Sequence, residues 1–142
     1  MDKALNYLSL AKKARLIELG EEPTEAVARA NKARLIVVAE DATDHTWRRA
    51  KGFVAGTEQL CIRVPFTKDQ MGMATGRSAL ALGAFTDAAL ALAFVKALEQ
   101  PEQHRQVLES LEKRATRVRQ RQEETKAAQR NKRFGKNRFG KK

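Results

Sequence analysis

The stretch LIVVA, residues 35–39, decides the fold of this chain. It holds five apolar residues in succession, and Ile36, Val37 and Val38 are β-branched. A short apolar run of this kind is typical of a strand that is buried on both faces of a sheet. Because helices usually cover both faces of such a sheet, the stretch predicts an α/β protein.

Three further strands are predicted around this run, at residues 16–19, 60–64 and 80–85. Helical patterns separate them, at residues 2–14, 23–31, 43–55, 68–75 and 87–98. We expect inward-facing side chains at Leu5, Leu8 and Ala11 of the first helix, and at Ala26, Val27 and Ala30 of the second. Strands that alternate with helices predict a three-layer α/β/α sandwich around a mixed four-stranded sheet.

Residues 79–98 are mostly apolar and, at twenty residues, are long enough to cross a bilayer. Asp87 lies near the middle of this stretch, where a charge would cost at least about 2.5 kcal/mol in a membrane. A buried strand followed by a helix is the better interpretation, with Thr86 as the N-cap of that helix. We therefore expect no membrane-spanning segment.

Beyond Pro101 the composition changes. Residues 102–129 contain neither glycine nor proline and favour a helix. The apolar stripe of this helix is thin and consists of Val107, Leu108, Leu111 and Val118. Such a stripe predicts that the helix either makes few contacts with the domain or projects from it. Residues 130–142 consist mainly of Lys, Arg, Gly, Asn and Phe, and such a segment is expected to be disordered until bound. The predicted organisation is a domain at 1–100, a basic helical extension at 101–130 and a disordered basic tail at 131–142.

The charge of the chain is unevenly distributed. The formal net charge is +11, but residues 1–100 carry only +2, whereas residues 101–142 hold fourteen basic and five acidic residues, a net charge of +9. This asymmetry indicates a polyanionic partner, most commonly nucleic acid, although a tail that only keeps the protein in solution is an alternative. We expect the terminal cations to contact phosphates and the two phenylalanines to stack on unpaired bases (Arg130, Lys132, Arg133, Phe134, Lys136, Arg138, Phe139, Lys141 and Lys142).

Few residues are available for metal or disulfide chemistry. Cys61 is the single cysteine, and His45 and His104 are the only histidines, without ligand partners at metal-site spacing. We expect no metal and no cofactor. Residues 1–15 lack the apolar core of a secretion signal, so we expect a cytoplasmic protein that is monomeric when free.

Two patterns suggest an enzyme, and neither is complete. Gly72 and Gly76 precede Arg77 and Ser78, in an order that resembles a phosphate-binding loop. Three residues separate the two glycines here, whereas that loop has four, and the predicted strand comes after the motif instead of before it. The glycines are better explained by close packing of a short helix. The adjacent carboxylates Glu40 and Asp41 lack a neighbouring nucleophile or histidine, so a turn or capping role is expected for Asp41.

Several of these motifs occur in an order that resembles the ribosomal protein L-seven-Ae and L-thirty-e family. They are LIVVAED at residues 35–41 with Gly20 before it, KDQMG at residues 68–72 with Gly76 after it, and Thr86-Asp87. The resemblance covers residues 2–98. Within the family, this part of the chain is similar to the bacterial ribosomal-protein-like members. It implies the three-layer sandwich derived above and a structured RNA as partner, often a kink-turn.

The resemblance departs at the start of the second helix, where kink-turn binders have Gly-x-Asn-Glu-x-x-Lys. Here Gly20 matches, but Glu22, Pro23 and Ala26 stand at the Asn, Glu and Lys positions. Acidic residues at a helix N-terminus oppose phosphate, although they also cap the helix well. The RNA-contact candidates that the resemblance and the charge leave on the domain are Lys12, Lys13, Arg15, Gly20, Glu22, Lys68, Arg77, Phe85 and Thr86; Arg48 and Arg49 are either further contacts or ordinary helix surface.

The sequence therefore predicts a non-enzymatic RNA-binding protein, associated with ribosomal or other structured RNA. One alternative is a protein that binds anionic membrane surfaces through its basic tail, which lacks the bulky apolar face of interfacial helices. The other is a non-specific DNA-binding protein, which charge alone does not distinguish from an RNA-binding one.

Overall fold

The computed structural model describes residues 2–140, and the side chains of residues 2–129. The elements in chain order are α1 (Lys3–Lys13), β1 (Ile17–Leu19), α2 (Glu21–Arg29), β2 (Leu35–Val38), α3 (Asp44–Val54), β3 (Cys61–Arg63), α4 (Lys68–Ala74), β4 (Leu82–Phe85), α5 (Ala88–Ala97) and α6 (Arg105–Gly140). All four predicted strands and all five predicted domain helices are present, with ends shifted by one or two residues.

The sheet is mixed, as predicted, with the strand order β1-β4-β2-β3. β2 and β3 are parallel, whereas β4 is antiparallel to both of its neighbours, β1 and β2. Three strands therefore run in one direction and β4 runs in the other. At one end of the sheet, called the Gly20 end, the Gly20 amide donates to the Leu82 carbonyl; at the opposite end, called the Thr86 end, the Thr86 amide donates to the Leu16 carbonyl.

Helices cover both faces of the sheet. α2 and α3 pack against each other and against the strands, α1 packs against α4 and α5, and α6 lies on α5. All four residues of β2 are buried, which confirms the interpretation of the LIVVA stretch. The predicted three-layer sandwich is therefore the observed fold.

The apolar residues 79–98 form β4 and α5 rather than one long helix. Asp87, and not Thr86, is the N-cap of α5, because its carboxylate accepts a hydrogen bond of 2.9 Å from the Leu90 amide. Among the helices of the described residues, none combines the length and the apolar character needed to cross a membrane.

Side-chain placement in α2 corrects one expectation. Thr24 and Ala28 are the buried residues of this helix, whereas Ala26 and Ala30 are exposed and Val27 is half-buried. Residues 24 and 28 lie four apart on one face of the helix. They point inward because α2 packs on β4, and short side chains permit that close approach.

Asp41 and Gly72 have the roles expected for them. The Asp41 carboxylate accepts a hydrogen bond of 2.8 Å from the Lys68 amide, at the start of α4. Gly72 lies against the returning chain, because a Cβ atom there would be 2.7 Å from the Ala79 Cα atom. The close packing of a short helix thus explains Gly72.

The hydrophobic core continues past residue 100. Leu111 of α6 is fully buried and Ala115 nearly so, whereas Val118 is 46% exposed. The boundary predicted after residue 100 therefore cuts through the core, because the first turns of α6 are part of the folded unit. α6 extends to Gly140, and the side chains to which the tail prediction refers lie outside the described residues.

Replacing Leu111 with alanine is expected to lower the free energy of unfolding by about 3 kcal/mol, since it leaves a cavity between α6 and the core. Chemical denaturation would measure the loss. Val118→Ala is the matched control on the same helix, and its exposed side chain predicts a change below about 0.5 kcal/mol. Equal effects of the two substitutions would show that α6 does not stabilise the domain.

Candidate nucleic-acid interface

Gly20 is the N-cap residue of α2 and has a φ of 99°. This conformation strongly favours glycine, since a side chain would be strained there. The Arg77 guanidinium lies beside it, because a Cβ atom added at Gly20 would be 3.4 Å from Arg77 Nη1. The structure thus places two predicted RNA contacts, 57 positions apart in the sequence, next to each other at the Gly20 end.

Lys12 joins the same surface. Its ammonium lies against Gly76, where an added Cβ atom would be 2.8 Å from Lys12 Nζ. Gly76 directly precedes Arg77, so Lys12, Gly76, Arg77 and Gly20 follow one another across the molecular surface. We call these four residues the Gly20 surface.

Lys13 and Arg15 add two more positive charges next to Lys12, at the C-terminal end of α1. Lys13 is in the last turn of the helix, and Arg15 follows the C-cap in the left-handed conformation, with a φ of 59°. Glycine is the residue that most readily adopts this conformation after a helix. Arg15 is exposed and directly precedes Leu16, so it lies towards the Thr86 end.

Within residues 2–129, Lys12, Lys13, Arg15 and Arg77 form no ion pairs. Arg49 differs from them, because its guanidinium pairs with Glu21 and lies 3.5 Å from Glu25 of α2. Arg49 therefore joins α3 to α2 and offsets part of the acidic charge at the start of α2. Arg48 bonds to the Asp44 carbonyl of its own helix.

The remaining candidates are not all on this surface. Lys68 is half-buried at the start of α4, where its carbonyl accepts from the Leu80 amide near the Gly20 end. Glu22 is exposed in the first turn of α2. Phe85 is fully buried, and its ring centroid lies 5.1 Å from that of Phe94. Its side chain therefore belongs to the core, and the prediction of Phe85 as an RNA contact is wrong.

Thr86 lies at the opposite end of the sheet from Gly20, which separates two candidates that the sequence grouped together. The cause is the antiparallel register, in which Ile17 lies opposite Phe85 and Leu19 opposite Gly83. Side chains of the tail candidates lie outside the described residues, and their RNA contacts stay a prediction.

Sequence reasoning missed a second group of cations at the Thr86 end. Arg34 precedes β2, and Arg114, Arg117 and Arg121 of α6 face it across an open cleft of about 620 Å³. The spacing of three and four residues within α6 was a signal that these three arginines share a helix face. Nothing in the local sequence indicated that Arg34 would lie opposite them.

Burial raises the pKa of the Cys61 thiol to about 12, so at neutral pH it is protonated and a poor nucleophile. In the described part of the chain, no three His, Cys, Asp or Glu side chains are grouped to hold a metal ion. What the two basic surfaces offer chemically is a set of cationic hydrogen-bond donors.

No family model and no curated protein matches the chain. Solved structures share its fold. A protein of unknown function from Bacillus halodurans C matches with a TM-score of 0.65 and 21% identity, over 70% of this chain and 100% of that chain. The Giardia lamblia 15.5kD RNA binding protein matches with a TM-score of 0.54 and 16% identity, over 69% of this chain and 83% of that chain. Likenesses at these identities establish the fold.

Proposed function

We propose that this protein is a non-enzymatic, cytoplasmic RNA-binding protein that acts on ribosomal or other structured RNA. The observation that carries the proposal is the group of exposed cations at and beside the Gly20 surface, Lys12, Lys13 and Arg77, which pair with no carboxylate among residues 2–129. Cations that are not held in ion pairs keep their charge available for phosphates.

Two further observations support RNA as the partner. The net charge of +9 on residues 101–142 adds a long-range attraction to any polyanion. The likeness of fold to the Giardia RNA binding protein, together with the family resemblance of the motifs, favours RNA over DNA and over an anionic membrane. Charge by itself does not separate these three partners.

Crosslinking the protein to RNA in living cells, followed by sequencing of the attached fragments, tests the proposal. We expect enrichment of ribosomal RNA or of a small set of structured RNAs over the transcriptome. Crosslinks spread evenly over abundant transcripts would contradict a structured target. Duplex DNA and vesicles with anionic lipid, used as competitors in vitro, distinguish the alternative partners.

Removing the positive charge at and beside the Gly20 surface is expected to weaken binding to the RNA that crosslinking identifies. The variant Lys12→Gln/Lys13→Gln/Arg77→Gln loses three phosphate contacts. The slope of log K against log salt should therefore become shallower by about 2 to 3, at about 0.7 for each contact with a single strand and about 0.9 for each contact with a duplex. Lys3→Gln/Lys51→Gln/Lys96→Gln is the matched control, with the same change of net charge at other exposed lysines. Similar slopes for the two variants would show that only the overall charge matters.

A further inference from the structure

The cleft at the Thr86 end is lined by an excess of positive charge. Its walls carry the guanidinium groups of Arg34, Arg114, Arg117 and Arg121, and the carboxylate of Glu58 is the acidic group that lines it. Glu58 is 91% exposed and lies 3.7 Å from Arg114, so it offsets one of the four positive charges. We call this cleft the arginine groove.

The fold keeps the groove open. Leu111 and Ala115 anchor α6 on the domain, but one turn later Val118 remains 46% exposed although it lines the groove. α6 therefore leaves the domain surface at this point, and the cleft lies between its projecting part and the loops at the Thr86 end. Arg114, Arg117 and Arg121 span about 10 Å along the helix, at 1.5 Å for each residue.

Two of the arginines are held in position. Arg114 Nη2 donates to the Glu58 carbonyl at 2.6 Å, and the Arg114 side chain is only 16% exposed. The Arg34 amide donates to the Phe85 carbonyl at 2.7 Å, which attaches Arg34 to the end of β4. Arg117 and Arg121 form no ion pair within residues 2–129, so their guanidinium groups are available to a ligand.

Guanidinium groups gathered around one cleft repel each other, and an anion between them would remove that repulsion. The planar fork of arginine matches the paired oxygens of a phosphate better than lysine does. A volume of about 620 Å³ is that of a small-ligand site, which admits a short stretch of one nucleic-acid strand rather than a duplex. Grooves of this kind follow the backbone of single strands.

We infer that the arginine groove binds the phosphate backbone of a single-stranded RNA segment, at a site separate from the Gly20 surface. The inference rests on the proposed function and adds a second contact at the opposite end of the sheet. The same α6 continues towards the basic residues 130–142, so a strand that leaves the groove along the helix meets further cations.

The test uses the full chain and a fluorescently labelled twelve-nucleotide oligouridylate. In the variant Arg34→Gln/Arg117→Gln/Arg121→Gln, Arg114 is retained because it joins α6 to the domain. Loss of three phosphate contacts is expected to lower affinity about a hundredfold at 0.1 M salt, since each contributes about 0.7 of a decade for every decade of salt. Arg105→Gln/Arg119→Gln/Lys126→Gln is the control on exposed positions of α6, with the same change in charge.

NMR spectra of the unaltered chain locate the strand. Shifts of the Gly56 and Thr57 amide signals on addition of the oligouridylate, together with a loss at least tenfold greater in the groove variant than in the control, support the inference. Equal losses in both variants, or binding without shifts at Gly56 and Thr57, overturn the groove as an RNA site and leave the proposed function intact. Failure of the unaltered chain to bind either oligouridylate or total ribosomal RNA contradicts both.

Discussion

Deletion of residues 130–142 is expected to remove most of the salt dependence of RNA binding. This segment holds seven basic residues and no acidic residue. If each cation neutralises one phosphate, the segment contributes a slope of about −5 to log K against log salt, at about 0.7 for each contact. Raising the salt from about 50 to 200 mM would then reduce the affinity of the full chain about a thousandfold more than that of the deletion variant.

Fluorescence anisotropy titrations at four salt concentrations would measure these slopes. The matched control keeps the seven cations and replaces Phe134 and Phe139 with serine, which separates base stacking from charge. We expect this control to retain the slope and to lose affinity equally at every salt concentration. An unchanged slope after the deletion would show that the tail does not contact RNA.

A standard kink-turn RNA is expected to bind the unaltered chain weakly, and the variant Glu22→Asn/Pro23→Glu/Ala26→Lys to bind it two to four orders of magnitude more tightly. All three positions are exposed in the first turns of α2, directly after the N-cap residue Gly20. Glu22, Pro23 and Ala26 present a carboxylate, a ring and a methyl group, whereas the Gly-x-Asn-Glu-x-x-Lys motif of kink-turn binders has hydrogen-bond donors and acceptors at these positions. Two or more charge-assisted hydrogen bonds would contribute about 3–6 kcal/mol.

Gel-shift titration with the kink-turn and with a straight duplex of the same length would test this expectation. The variant Glu22→Gln/Pro23→Ala/Ala26→Gln is the control, because it removes the acidic charge without supplying the recognition groups. Nanomolar binding of the unaltered chain to the kink-turn, retained when residues 130–142 are deleted, would contradict the prediction. The truncation ends at residue 129 because Leu111 and Ala115 belong to the core.

Features that depend on neighbouring residues were predictable from the sequence. The apolar run at residues 35–38 identified a strand buried on both faces, since burial on two sides removes the alternation of apolar and polar residues. The separation of charge between residues 1–100 and 101–142 required only counting. Asp41 lies in a turn, as expected from its residue type, but the amide that its carboxylate accepts from belongs to Lys68, 27 positions away, and the sequence did not identify that partner.

Features that depend on residues far apart in the chain required the tertiary structure. Phe85 ends an apolar strand next to two polar residues, and only its contact with Phe94 shows that it belongs to the core. The grouping of Thr86 with Gly20 failed because the antiparallel pairing of β1 with β4 places them at opposite ends of the sheet. The domain boundary moved because Leu111 packs into a core formed mostly by residues before 100.

By itself the sequence determined that this chain forms a sheet with helices on both faces and carries its excess charge at the C-terminal end. Periodicity and local charge are properties of short segments, and they act before any long-range contact forms. The tertiary structure alone decided that Arg77 lies beside Gly20 and that Arg34 faces Arg117 and Arg121 across a groove. Those placements follow from the order β1-β4-β2-β3 and from the packing of α6 on α5, which bring together residues 57 to 87 positions apart.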